Sequence, residues 1–203
     1  YAGVDPQTGK ESFYLNDGTN NARNTTTNSA EAKKVILGNA NPTVQGGLSH
    51  FVSWKDIDLN FTFTYSFGGH LMDTARWLQT DGGSDHYDGN IPSYYKLSDM
   101  WQKPGDHAKL PQFAYNNSET TSSRWIKSTN HVRLKNITLG YSLPKRIARF
   151  WGLNKLRAYT SANNLLTFKS KDLYVDPEVP VNGLVMFENP ALRTVTFGLE
   201  IGF

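Results

Sequence analysis

Five histidines, His50, His70, His86, His107 and His131, are the side chains best suited to moving protons near neutral pH. They lie far apart in sequence, and none sits beside an obvious nucleophile and orienting carboxylate, so no catalytic residue is assigned and no enzyme activity is expected. Cysteine is absent, which removes thiol nucleophiles, disulfide frameworks and Cys-based zinc sites. Asp81, Asp85 and Asp88, in DGGSDHYDGN, could offer oxygen ligands to calcium. Their spacing is not that of an EF-hand, and ordinary turn chemistry explains such a loop better, so no cofactor is expected. Trp77, Tyr87, Tyr94, Tyr95, Trp101, Phe113 and Tyr115 crowd the same part of the chain. Aromatic faces suit sugars or peptide side chains, with neighbouring Asp and Asn supplying hydrogen bonds. Packing of that segment on itself or on a partner is the favoured role for any single one of them.

Bulk properties narrow what could hold these residues in place. Only 38% of the 203 residues are hydrophobic, and no apolar run approaches the ~18 residues of a membrane helix. A β-barrel passes this test, because residues facing its lumen dilute those facing lipid. The net charge of +3 is mild and scattered, which argues against nucleic acid as a partner. Tyr1-Ala2-Gly3-Val4-Asp5 has neither a Met nor a secretion signal and reads as the end of a strand, so the chain is expected to be the tail of something longer.

Strict alternation marks two strands. Val195, Phe197, Leu199, Ile201 and Phe203 share one parity against Thr194, Thr196, Gly198, Glu200 and Gly202. Ile57, Leu59, Phe61, Phe63, Tyr65 and Phe67 alternate as cleanly with Asp58, Asn60, Thr62, Thr64 and Ser66. Eleven residues at ~3.3 Å each, tilted near 45°, rise about 25 Å, the height of an outer-membrane apolar band. A terminal aromatic fits too, because outer-membrane barrels commonly end on one as an assembly signal; residues 195 to 203 of the apolar parity are assigned that role. Further strands are expected at about 43–54, 131–141 and 156–168. Arg133 and Lys135 share the parity of Ile137, Leu139 and Tyr141, which places charge on the lipid face unless they lie above the membrane or a bulge shifts the register.

The connections alternate in length. Residues 5–42, 68–130 and 169–192 are long and irregular, while the turns near Lys55 and Arg149 are short. Barrels show this asymmetry, with long loops outside and short turns in the periplasm. Within the central loop, His70 to Gln79 could form a helix presenting Leu71, Ala75 and Leu78 on one face. At the short turn, Lys145, Arg146, Arg149 and Lys155 cluster, and a solvated turn is favoured there over lipid contact. Trp54 and Trp151 suit an interfacial girdle. Five full strands and the end of a sixth are too few for the ~8 of the smallest closed membrane barrel, so a larger barrel is implied.

The motifs YAGVDPQTGK at Tyr1, LGNANP at Leu37, MWQKPGD at Met100, VRLKNITLGYSLPKR at Val132, LRAYTSANNLLTF at Leu156 and RTVTFGLEIGF at Arg193 resemble the C-terminus of SusC/RagA-type TonB-dependent transporters of Bacteroidetes outer membranes. That resemblance spans nearly the whole chain. It implies a 22-stranded barrel around an N-terminal plug, of which this chain supplies roughly the last five or six strands. It also implies TonB-coupled uptake of oligosaccharides or peptides, a SusD-like lipoprotein over the extracellular mouth, and contact with the rest of the barrel, the plug and outer-membrane lipid. The plug and the TonB-contacting segment are not among these residues. The rival is a soluble β-sandwich or adhesin-like module that holds carbohydrate with its aromatic loop. Such a sandwich needs two inner faces of comparable quality, and only two strands here are clean.

Overall fold

A computed structural model of the chain describes residues 1–18, 24–80, 92–114, 120–178 and 182–203. In chain order its strands are β1 (Gly3–Val4), β2 (Glu11–Tyr14), β3 (Thr25–Thr26), β4 (Val44–Trp54), β5 (Ile57–Phe67) and β6 (His70–Asp73). They continue as β7 (Ile126–Ser128), β8 (His131–Ser142), β9 (Lys155–Lys169), β10 (Leu184–Val185) and β11 (Thr194–Gly202). Helices α1 (Thr74–Thr80) and α2 (Lys145–Phe150) complete the regular elements used below. The chain divides into two compact units, one of residues 1–38, 71–127 and 183–187, the other of the remaining segments.

The second unit is built on one antiparallel sheet in the order β11-β9-β8-β5-β4. It is open: β4 and β11 are its edges, and no barrel closes among the described residues. Register carries parity across all five strands. Val52, Leu59 and Leu139 stand in one row, then Thr160 and Phe197. Ser49, Thr62 and Asn136 form a row of the opposite face, continued by Asn163 and Thr194. One face is therefore apolar and the other polar, and each is continuous.

A bulge resolves the charge on β8. Thr62 pairs with Asn136 but Phe63 pairs with Leu134, so Lys135 is the extra residue. Beyond it Leu134 and Val132 join the apolar rows of Phe63 and Tyr65, while Arg133 turns to the polar face opposite Thr64. On β9 the matching irregularity falls between Asn163 and Leu166, where Asn164 adopts a φ of 53°. An added residue flips all side chains that follow it, which is how a strand of mixed parity keeps charge off one face.

The long connections 68–130 and 170–193 leave the sheet at the end where Val44 meets Phe67 and Ser66 meets His131. The two short ones join strands at the other end, where Trp54 pairs with Ile57.

Two expectations change. The Tyr1 segment does not extend the large sheet; β1 pairs with β2 and β2 with β3 in a separate three-stranded sheet. The helix expected from His70 to Gln79 begins only at Thr74, because His70–Asp73 is a strand paired in parallel with β10. Leu71 is buried there and Asp73 accepts the Arg76 amide at 3.1 Å, opening the helix. Apolar spacing alone could not distinguish a strand leading into a helix from one continuous helix.

Candidate functional site

Much of the polar face of the sheet is a ladder of side chains bonded to one another. Asn136 donates to Ser161 at 3.2 Å and to Asn163 at 2.8 Å, Thr138 and Ser161 share a bond of 2.9 Å, and Asn163 reaches Thr194 at 3.1 Å. Nearer the short turns, Arg157 grips Asp58 through two bonds of 2.9 and 2.5 Å, and its guanidinium stands 5.2 Å from the Tyr159 ring centre. Tyr159 in turn covers Gly198, where a Cβ would collide with the ring. Glycine is thus required there for room rather than for its backbone freedom.

At the opposite end, Arg133 is only 2% exposed and donates to Asp176 at 2.6 Å and Glu178 at 2.9 Å. Lys135, displaced by the bulge, adds a 2.7 Å bond to Glu178. Burial pushes the Asp176 carboxyl up, but the Glu178 amide, the Arg133 guanidinium and the Ala191 amide outweigh it and hold the group below its ordinary value. One buried arginine therefore ties the connection after β9 to the sheet. Beside it lies an open cavity of about 770 Å³, lined by Gln45, Thr64, Ser66, His131 and Glu178.

The first unit has its own lock. Asp5 accepts the Gln7 amide at 3.2 Å and the Thr8 hydroxyl at 2.5 Å, closing a turn that ends on Gly9 with φ of 68°. Trp101 lies on that glycine, where a Cβ would collide with its ring, and donates its indole N–H to the Pro6 carbonyl at 2.9 Å. The Gly105 and Gln112 amides bond the Pro6 and Gly9 carbonyls, each at 2.8 Å. The YAGVDPQTGK and MWQKPGD motifs are thus the two halves of one joint. Elsewhere in this unit Glu11 accepts from the Thr120 amide at 2.7 Å and Arg124 at 3.3 Å, beside buried Trp125. A cavity of about 550 Å³ opens between Phe13, Val35, Leu37, Met72 and Ile126.

Of the aromatic residues singled out from sequence, Trp101 and buried Tyr95 pack within the first unit. Trp77 and Tyr94 are half-buried; Tyr94 donates to Gln79 at 3.2 Å and lies under the Arg76 guanidinium at 4.7 Å. Tyr87, Tyr115 and the three aspartates Asp81, Asp85 and Asp88 lie outside the described residues. Val195, Phe197, Leu199, Ile201 and Phe203 are all exposed. His50 stands on the apolar face against Phe61, with ring centres 5.6 Å apart, and His131 on the polar one. Sequence reasoning did not find the Arg133–Asp176–Glu178 cluster or the Asp58–Arg157 pair. The signal for the first was Arg133 itself, a charge of the wrong parity.

A single sheet that exposes one continuous apolar face and bonds its other face to itself is a strip of transmembrane barrel wall. The two remaining sheets among the described residues have strands of two to four residues and supply no second inner face for a sandwich. No protein-family model matches the chain. It is similar to TonB-dependent receptor P3 of Formosa agariphila, 29% identical over 183 residues, and to receptor P39 of the same organism, 26% identical over 180. These matches cover 85% and 84% of this chain but 17% of each receptor. Among solved structures, the RagAB peptide transporter matches all of the chain with a TM-score of 0.85 at 27% identity, over 22% of its own chain. The RagAB peptide importer in its closed-closed state matches with a TM-score of 0.82. In sequence and fold the chain is similar to part of a TonB-dependent outer-membrane receptor, and it spans about a fifth of the length of the relatives it matches. The relatives are receptors and transporters.

Proposed function

We propose that this chain forms part of the wall and the extracellular connections of an importer that takes up peptides or oligosaccharides under TonB control. The remaining strands, the plug and the TonB-contacting segment belong to the rest of the receptor, and a SusD-like lipoprotein closes over its mouth. The single observation that carries this reading is the five-stranded sheet, apolar and uncovered on one face and polar and self-bonded on the other, matched over its full length by the RagAB transporter. Peptide is the favoured substrate class, because the solved structures the chain resembles are a peptide transporter and a peptide importer. Half-buried Trp77 and Tyr94, whose rings suit sugar faces, keep oligosaccharide as the second reading.

The test uses the full-length receptor purified with its own lipoprotein, titrated with a mixed peptide pool and with a mixed oligosaccharide pool. Saturable binding of one pool, and its uptake by cells only when TonB is functional, is the expected result. Binding of neither pool, or uptake that persists without TonB, contradicts the proposal.

A further inference from the structure

The short connection between β8 and β9 carries more chemistry than a turn needs. Its helix α2 is closed at both ends by backbone bonds. The Ile147 amide reaches the Pro144 carbonyl at 2.9 Å; at the other end Leu153 bonds Ala148 and Gly152 bonds Arg149, both at 3.0 Å. Gly152, at a φ of 73°, supplies the left-handed residue of this Schellman ending. Leu143 and Asn154 bond Leu156 and Gly202, both at 2.8 Å, which fixes the helix to the ends of β9 and β11. Ala148 is 1% exposed and faces inward.

Around that buried residue the side chains sort by kind. At 100° per residue, Ile147, Phe150 and Trp151 fall on one flank and Lys145, Arg146 and Arg149 on the other. Phe150 is 87% and Trp151 72% exposed, which water does not favour. No acidic residue occurs from 143 to 155, and Asp58 and Glu200, carboxylates of the adjoining strands, are engaged by Arg157 and Lys155. Lys145 and Arg146 also stand in the first turn, where the helix dipole disfavours cations. Three unmatched cations beside three uncovered apolar groups is the pattern of a helix lying in a membrane interface. Position agrees: exposed Trp54, Tyr141 and Phe203 lie at this same end of the sheet on its apolar parity. The helix connects β8 and β9, one strand in from the β11 edge.

We propose that α2 is a binding site for anionic phospholipid on the periplasmic leaflet. Lys145, Arg146 and Arg149 hold the headgroup phosphates, while Phe150 and Trp151 enter the boundary between headgroups and acyl chains. This rests on the membrane orientation of the proposed function, with short turns in the periplasm. A zwitterionic surface meets the aromatic flank equally well but leaves the cations unmatched, so selectivity for anionic lipid is the specific consequence.

The experiment is native mass spectrometry of the full-length receptor with its lipoprotein, in detergent supplemented with phosphatidylglycerol or with phosphatidylethanolamine. The parent retains phosphatidylglycerol; the triple variant Lys145→Gln, Arg146→Gln, Arg149→Gln loses retention on the order of a hundredfold at low salt. The charge-preserving set Lys145→Arg, Arg146→Lys, Arg149→Lys keeps it, and each single glutamine variant loses a part, which covers a triple variant that fails to fold. Unchanged retention in a folded, heat-modifiable triple variant overturns the lipid site, including in favour of a periplasmic protein partner. Separately, Phe150→Cys resists an impermeant maleimide in intact cells. Labelling from the cell surface would overturn the orientation itself, and with it the loop placement of the proposed function.

Discussion

In the five-stranded sheet the large apolar side chains are on the outside: Phe197 is 81% exposed, Leu199 69% and Leu48 61%. In the unit of residues 1–38, 71–127 and 183–187 a buried core exists, with Leu71 at 1% and Trp125 at 2%, although Ile36 and Leu97 stay exposed. One chain thus contains a surface suited to hydrocarbon and a core suited to water around it. In the sheet the solvent fixes the pattern, since lipid demands that each backbone group be paired within the wall and each polar side chain turn away. The other unit depends on a few specific joints, such as Trp101 over Gly9 and Arg124 with Glu11, that no periodicity announces.

The sharpest way to break this contrast is to place one charge on each face of the same strand. Phe61→Arg, on the apolar face, should cost about 2–4 kcal/mol in the assembled receptor, while Thr62→Arg, its neighbour on the polar face, should cost well under half of that. Urea titration of the receptor in liposomes reads both; equal losses would mean that the two faces see the same medium.

Next in size is the buried arginine. Arg133→Met leaves Asp176 without its cationic partner and Glu178 with Lys135 alone, and because both carboxylates are part-exposed the loss is about 1–3 kcal/mol. It should appear as new protease cleavage within 170–193, with the sheet still heat-modifiable.

Gly9→Ala adds a methyl where φ is positive and a ring is in contact, a penalty of about 1–2 kcal/mol. Trp101→Phe removes one indole bond, worth about 1 kcal/mol. Both should speed amide hydrogen exchange in residues 100–112 and leave the exchange of β5 unchanged; a shared change would show that the two units unfold together.

The smallest effect is that of pH. Asp176 is held below its ordinary value in the folded protein, so its contribution is complete above the unfolded carboxylate value of about 4 and is lost as pH falls through the depressed one. Proteolysis of 170–193 should therefore rise only in acid, and Asp176→Asn should show the acid behaviour already at neutral pH.

The sheet was legible in the sequence because lipid on one side and polar lumen on the other impose a period of two over eleven residues, as in Ile57–Phe67. Even the exception could be read: Arg133 and Lys135 break the parity of β8, and the bulge that expels Lys135 removes the conflict. The other unit was not legible. Residues 5–42 read as an irregular loop, yet the short strands β2 and β3 lie there, stabilised through single side-chain bonds such as Glu11 to the Thr120 amide. Contacts between residues about a hundred positions apart leave no local pattern. Trp101 could be picked out by its residue type but not by its role, since an indole packed on a glycine turn and one facing a substrate are the same letter.

The most direct measurement is nitroxide scanning of β5 in the full-length receptor, in outer-membrane vesicles, using single cysteines at residues 58 to 66; the chain itself has no cysteine to interfere. Accessibility to oxygen should peak at 59, 61, 63 and 65, and accessibility to a water-soluble nickel chelate at 58, 60, 62, 64 and 66. An aqueous signal on both parities would contradict the membrane wall on which the account rests.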